Sequence, residues 1–424
     1  MANVEDLIMV IKDQEEKMNA ILQARDIIKR ELEVPSNSLK TGAAHIITGP
    51  RRAGKSVFAF QLTSNENRGY INFNDERISI DSTELNKVLE AIYRVKGNTD
   101  LLVFDEIQEV PGWERFISRL VDSKKILITG SNARMMSKEL ATYLTGRHID
   151  YILLPFGFKE FLLYKGLRIE TIETNPSTAE KSKIISMLDE YLRVGGFPLA
   201  IKNGSLFLAD LYKDIVERDV AQRYHIRLTS KLSELARYLL INISNEISYN
   251  KLSKIMGIKG KSTVQNWISY MESAYLLFKL ERFSFKLKET IMAPKKIYAI
   301  DTGIANTIAL RISKSALMEN LVAIELLRRK SYYDKTMEIN YWKDYLHREV
   351  DFVLRDKGKV KELIQVTYAS EKAELKERET KSLIAASHEL KCSSLFIITW
   401  DYEDEIKESG KKIKLIPLWK WLLQ

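Results

Sequence analysis

Residues 49–56 read Gly-Pro-Arg-Arg-Ala-Gly-Lys-Ser, which sets Gly49, Gly54, Lys55 and Ser56 in the spacing G-x-x-x-x-G-K-[ST]. The chemistry open to that spacing is the cradling of a phosphate chain. Glycines let backbone N–H groups close around anionic oxygens at a helix N-terminus, where the dipole favours negative charge. The lysine adds a point charge toward the terminal phosphates, and the hydroxyl of the next residue can bind Mg²⁺. A chance match in a chain of 424 residues is of order one in a hundred. The context makes chance less credible, because HIIT precedes the motif as a strand and SVFAFQLT follows it as a helix. Pro50, Arg51, Arg52, Ala53 and Val57 complete the expected nucleotide-binding segment, with ATP and Mg²⁺ as the expected cofactors.

Further along, LLVFDEIQ at 101–108 is an apolar strand ending in two acids. Asp105 is expected to hold Mg²⁺ through water together with Ser56, and Glu106 to polarise an attacking water. The next strand, KKILITGSN at 124–132, ends in Ser131 and Asn132, polar groups expected beside the γ-phosphate at the C-terminal sheet edge. The helix KELATYLTGR then ends at Arg147. Two roles stay open there: a C-terminal helix cap, or a finger that completes a neighbouring protomer's site.

These residues need a scaffold, and the patterning supplies one. Apolar positions over 3–32 recur at three- and four-residue intervals until Pro35, which predicts a helix. From 43 to 155, AAHIITG, GYINFN, LLVFDE, KILITG and DYILLP alternate with helix-like segments, the pattern of an α/β fold with a parallel sheet. Helical character dominates from 156 to about 290, and 291–424 is mixed.

The succession GPRRAGKS, LLVFDEIQ, ITGSN, YLTGR with LLPFGFKEF, and YLRVGGFPLA resembles the AAA+ ATPases of the archaeal and bacterial type that carry a C-terminal domain of unknown function. The resemblance spans nearly the whole chain. It implies sensor duty for Ser131 or Asn132, finger duty for Arg147, and a lid contact to adenine from the turn Gly195-Gly196-Phe197-Pro198. It also implies a homo-oligomer, with a hexamer favoured.

The expected layout is an N-terminal helix at 1–35, a P-loop core at 36–155, a helical lid at 156–205, a winged helix at 206–290 and a C-terminal α/β domain at 291–424. In the fourth region Val264, Trp267, Ile268 and Met271 are spaced to bury one helix face, leaving Lys259, Lys261, Ser262, Gln265 and Asn266 outward. That is the layout of a winged helix able to meet DNA or to serve as a protein contact. The family's last module resembles a PD-(D/E)XK nuclease core, which needs a helix Glu, a strand Asp and a strand E-x-K. Glu319 and Asp351 fit, but Gln365-Val366-Thr367 stands where E-V-K is needed. Glu362 faces the other side of its strand. A lysine migrated from the following helix, Lys376 or Lys381, is the remaining route to activity, and a degenerate, non-cleaving domain is the expectation.

Composition bounds the rest. There are 66 Lys and Arg against 57 Asp and Glu, a net charge of +9 that suits a polyanionic partner such as DNA. The single Cys392 excludes an internal disulfide, and five scattered histidines lack zinc spacing. No apolar run approaches the ~20 residues of a membrane span, and MANVEDL carries acids where a secretory signal needs bases. A cytoplasmic ATPase acting on DNA or a DNA-bound complex is expected, or a nucleotide-gated switch that signals through protein contacts.

Overall fold

The computed structural model describes residues 3–24, 27–35, 39–132, 143–167, 176–309 and 311–424. They form two compact units, one running to Pro155 and including Ser273–Tyr275, the other comprising Phe156–Glu272 and Leu276–Gln424.

In the first unit, strands β1 (Ala44–Thr48), β2 (Arg68–Asn72), β3 (Leu101–Asp105), β4 (Lys125–Gly130) and β5 (His148–Ile152) make a parallel sheet in the order β2-β3-β4-β1-β5. The five apolar runs of the sequence become these five strands. β1 and β3 are buried along their whole length, as strands covered on both faces must be. Helix α1 (Val4–Leu22) is capped by the Asn3 side chain, which accepts from Glu5 N–H. Its Leu7 and Ile11 join Leu85, Val88, Ala91 and Ile92 in one core. The last four belong to α3 (Leu85–Lys96), which follows α2 (Lys55–Leu62) and precedes α4 (Trp113–Leu120).

The second unit is built on a nine-stranded mixed sheet. Its strands are β6 (Glu246–Ile247), β7 (Leu277–Arg282), β8 (Lys295–Ala299), β9 (Glu338–Lys343), β10 (Glu349–Asp356), β11 (Lys359–Val366), β12 (Leu395–Thr399), β13 (Asp404–Glu408) and β14 (Lys411–Pro417). The order is β13-β14-β12-β11-β10-β9-β7-β8-β6. The helix Lys261–Ser273 buries Val264, Trp267, Ile268 and Met271 and leaves Lys259, Lys261, Ser262, Gln265 and Asn266 exposed. The boundary expected at 290 lies between β7 and β8, which pair antiparallel over five residue pairs. Sequence regions on either side of it therefore share one sheet. Among the described residues no helix is long and apolar enough to cross a membrane.

Candidate functional site

The end of β1 must turn sharply into α2, and two glycines make that turn possible. Gly49 has φ +149°, and a Cβ there would stand 2.2 Å from Leu153 O. Gly54, φ +95°, is the residue before the first turn of α2, in a conformation an L side chain rarely takes. Lys55 is buried, and its Nζ donates to Gly49 O (3.2 Å) and Pro50 O (3.0 Å). The same ammonium lies 3.6 Å from Glu106 Oε1.

The two acids at the end of β3 have different surroundings. Asp105 is fully buried. Its Oδ2 accepts from Tyr70 O–H (2.9 Å) and Asn72 Nδ2 (2.8 Å), and its Oδ1 from the Thr129 hydroxyl. Burial and the neighbouring Glu106 push the Asp105 carboxyl above its ordinary range, against hydrogen bonds that include one from Ser56. Burial also acts upward on Glu106, but Lys55, Gln108, Arg51 and Ser131 outweigh it and hold that carboxylate below its ordinary range. Glu106 sits at φ 52° in the left-handed region, its N–H donating to Thr129 Oγ1 at 3.1 Å. One threonine hydroxyl thus ties both acids to β4.

Ser131 and Asn132 are buried at the end of β4, so Lys55, Ser56, Asp105, Glu106 and Ser131 converge at the C-terminal edges of neighbouring parallel strands. Asp105 and the Ser56 hydroxyl are hydrogen-bonded, and these two oxygen-bearing side chains would hold a Mg²⁺, which would supply positive charge beside the phosphates.

Three positioning groups carried no expected role, Gln108 among them although it closes LLVFDEIQ. Arg30, buried, donates to Ala53 O (3.0 Å) and Leu154 O (2.6 Å), pinning the P-loop backbone to the segment after β5. Gln14 of α1 donates to Asn72 O and Asp75 Oδ2, both at 3.0 Å, and accepts from Asn72 N–H at 2.8 Å. Gln108 Nε2 donates to Glu106 Oε2 at 2.5 Å.

Arg147 stands apart from this cluster. Its main-chain O accepts from Ala44 N–H at the start of β1, whereas the P-loop follows the end of that strand. Its guanidinium donates to both Asp122 oxygens (3.1 Å) and to Ser118 Oγ (3.0 Å), with a longer 3.5 Å contact to Tyr143 O. Of the helix expected over 138–147, residues 138–142 lie outside the described residues.

In the second unit, the turn at Gly195-Gly196 is fixed by Asp301. Gly196 N–H donates to Asp301 Oδ2 at 2.7 Å, and a Cβ on Gly195 would meet Asp301 Oδ1 at 2.1 Å. Burial raises Asp301 to about 6, against its backbone hydrogen bonds. Phe197 is buried and Pro198 opens the helix Pro198–Asn203.

The same unit gathers Glu319 and Asp351, as the sequence suggested, but the lysine among them is neither Lys376 nor Lys381. Lys381 pairs with Glu377 (2.8 Å) on an exposed helix face. The cluster cation is Lys296 of β8, 2% exposed, with Nζ at 3.0 Å from Glu319, 2.6 Å from Glu349 and 3.1 Å from Asp351. Asp351 Oδ2 also accepts from Val366 N–H (2.9 Å), and Tyr298 O–H donates to Glu319 (2.8 Å). Burial and Asp351 push Glu319 up to about 7 against the pull of Lys296. Among the described residues no group of three His, Cys, Asp or Glu is arranged to hold a metal ion.

A parallel sheet with a P-loop after β1 and two acids at the end of β3 defines a P-loop ATPase of the AAA type, and residues 41–162 match the family described as AAA domain. Residues 185–316 and 314–421 match two domains of unknown function, DUF8612 and DUF4143. The chain belongs to the family of the uncharacterized protein MJ1544 of Methanocaldococcus jannaschii, with 34% identity over 95% of this chain and 92% of that protein. An uncharacterized protein of Haemophilus influenzae is 27% identical over 89% of this chain and 94% of its own length. Among solved structures, the Walker-type ATPase PABY2304 of Pyrococcus abyssi aligns over 70% of this chain and 95% of its own, at 13% identity and a TM-score of 0.44.

Proposed function

We propose that this protein binds ATP with Mg²⁺, hydrolyses it, and couples turnover to the remodelling or binding of DNA or a DNA-bound complex as a ring-forming homo-oligomer. The observation that carries the ATPase reading is the convergence of Lys55, Ser56, Asp105, Glu106 and Ser131 at one sheet edge. Backbone N–H groups of 49–57 wrap the phosphates, and Lys55 trades Glu106 for the β- and γ-phosphate oxygens. Mg²⁺ supplies charge neutralisation on those oxygens when bound. Glu106 then takes a proton from the attacking water, while Ser131 and Asn132 stand beside the phosphate being transferred.

Ring assembly finds support in Arg147. It lies on the outer side of its own unit, at the opposite end of β1 from the P-loop, as a group serving a neighbour must. The DNA part draws on the +9 charge and on the exposed Lys259, Lys261, Gln265 and Asn266. Adenine contact by the Gly195–Pro198 turn, absence of nuclease activity in 291–424 and a cytoplasmic setting belong to the same reading.

The test is a steady-state ATPase assay of wild type and Glu106→Gln, with a DNA-binding titration at several salt concentrations with and without a non-hydrolysable ATP analogue. ATP turnover lost in Glu106→Gln, and salt-dependent DNA binding that changes with nucleotide, are expected. Turnover without any DNA binding would remove the DNA half of the reading.

A further inference from the structure

Gln108 lies in the short 3₁₀ turn Ile107–Glu109 that follows the left-handed Glu106, and this turn brings the two side chains into direct contact. Gln108 is buried, and its Nε2 donates to Glu106 Oε2. Chemistry fixes which end of the amide points there, because the reverse would aim a carbonyl oxygen at a carboxylate. The amide's Oε1 is then left buried with no hydrogen-bond partner among the described residues. Native proteins seldom leave a buried acceptor so, and an exception next to a reacting carboxylate marks a partner that arrives with the substrate. The other faces of Glu106 are engaged: Lys55 approaches Oε1, Ser131 hydrogen-bonds to the carboxylate, and Arg51 and Asp105 act on it as charges.

We propose, resting on the ATPase reading above, that Gln108 Oε1 accepts a hydrogen bond from the attacking water, so that Glu106 and Gln108 orient this water between two acceptors. The water oxygen forms its bond to the γ-phosphorus. The bond from that phosphorus to the bridging oxygen breaks, its electron pair going to ADP. One water proton passes to the Glu106 carboxylate, and the other stays on the product phosphate, held by Gln108 Oε1. Gln108 also keeps Glu106 aimed when Lys55 leaves it for the phosphates.

Gln108→Met, close in volume and free of polar side-chain donors, tests this in the full chain. The expected result is a kcat about tenfold to a hundredfold lower, with the Kd for a non-hydrolysable ATP analogue and the thermal midpoint unchanged. A purely structural role would move the midpoint or the Kd, whereas the proposed role lowers kcat alone. If Gln108→Met does not fold, Gln108→Asn keeps an amide too short to reach Glu106, and the same kcat loss is expected. Wild-type kcat in a folded variant overturns the proposal, provided Glu106→Gln is inactive. Full turnover in Glu106→Gln instead overturns the underlying assignment of Glu106.

Discussion

Lys55 Nζ stands 3.6 Å from Glu106 Oε1, so the cation of the P-loop and the second acid after β3 are each other's counterion. In the proposed mechanism phosphate binding breaks that pair and frees the carboxylate for the water, so the two residues act at separate stages. Lys55→Ala should abolish nucleotide binding, whereas Glu106→Gln should bind ATP and retain it unhydrolysed, as read by equilibrium binding and single-turnover hydrolysis. A Glu106→Gln protein that turns over at the wild-type rate refutes the division.

Arg30 gives a second expectation. Its guanidinium bridges Ala53 O and Leu154 O from a buried position. Truncation to Ala leaves two main-chain carbonyls short of charged donors and should cost about 3 kcal/mol of stability. ATP affinity should fall with it, because the segment that wraps the phosphates loses its brace. Arg30→Lys should recover little, since an ammonium cannot span both carbonyls as the planar fork does. Chemical denaturation and nucleotide titration read both effects, and an unchanged Kd in Arg30→Ala would separate Arg30 from the site.

Arg147 pairs with Asp122 on the surface, where such a pair contributes at most about 1 kcal/mol. Arg147→Ala should therefore keep its fold and its ATP affinity. If the guanidinium serves a neighbouring protomer, hydrolysis is lost, and mixing Arg147→Ala with Lys55→Ala restores part of it from the mixed interfaces. No rescue in verified mixed oligomers leaves Arg147 a helix cap.

The carboxylates around Lys296 make stability depend on pH. Glu319, raised to about 7, holds a proton in the folded state that the unfolded chain gives up at lower pH. Its contribution is full below the ordinary carboxylate range and is lost as pH rises through about 7. Glu319→Gln should accordingly gain stability relative to wild type between about pH 5 and pH 8, measured from denaturation midpoints across that range. Lys296→Met, which leaves the buried Asp351 without its cation while Glu349 keeps Lys343 at 3.1 Å, should lose about 3–5 kcal/mol at alkaline pH and less in acid. A constant difference between Glu319→Gln and wild type would contradict the raised carboxyl.

Cleavage of DNA by residues 291–424 is not expected. Gln365 is neutral, Thr367 offers no ammonium, and Lys296 already occupies the space between Glu319, Glu349 and Asp351. A nicking assay on supercoiled DNA with Mg²⁺ or Mn²⁺ should stay blank. Cleavage that disappears in Asp351→Ala but persists in Lys55→Ala would reverse this.

The sequence made the first unit legible where local signals were strong. Five apolar runs became β1 to β5, and the phosphate motif was contiguous. Arg30 could not be read, since one partner is 124 residues away at Leu154 and nothing local distinguishes it from a solvated arginine. Thr129, between Ile128 and Gly130, carries no local signal, although its hydroxyl ties both acids to β4. Lys296 lies in KKIYA, which reads as a charged flank; it is buried because three distant acids enclose it. The β13–β14 hairpin was hidden by its charges, as DEIKE and KKIKL form a solvated sheet margin whose apolar residues are few.

The nine-stranded sheet crosses the seam between the two domains of unknown function, which meet at residues 314–316. β7 pairs with β9 across that seam, and Lys296 on one side is neutralised by Glu319, Glu349 and Asp351 on the other. A gene rearrangement that kept one stretch and dropped the other would strand a buried ammonium or the acids around it and open a sheet through its middle. The two stretches are therefore one unit of folding: a change of charge at 296 leaves the acids beyond 316 without the cation they share.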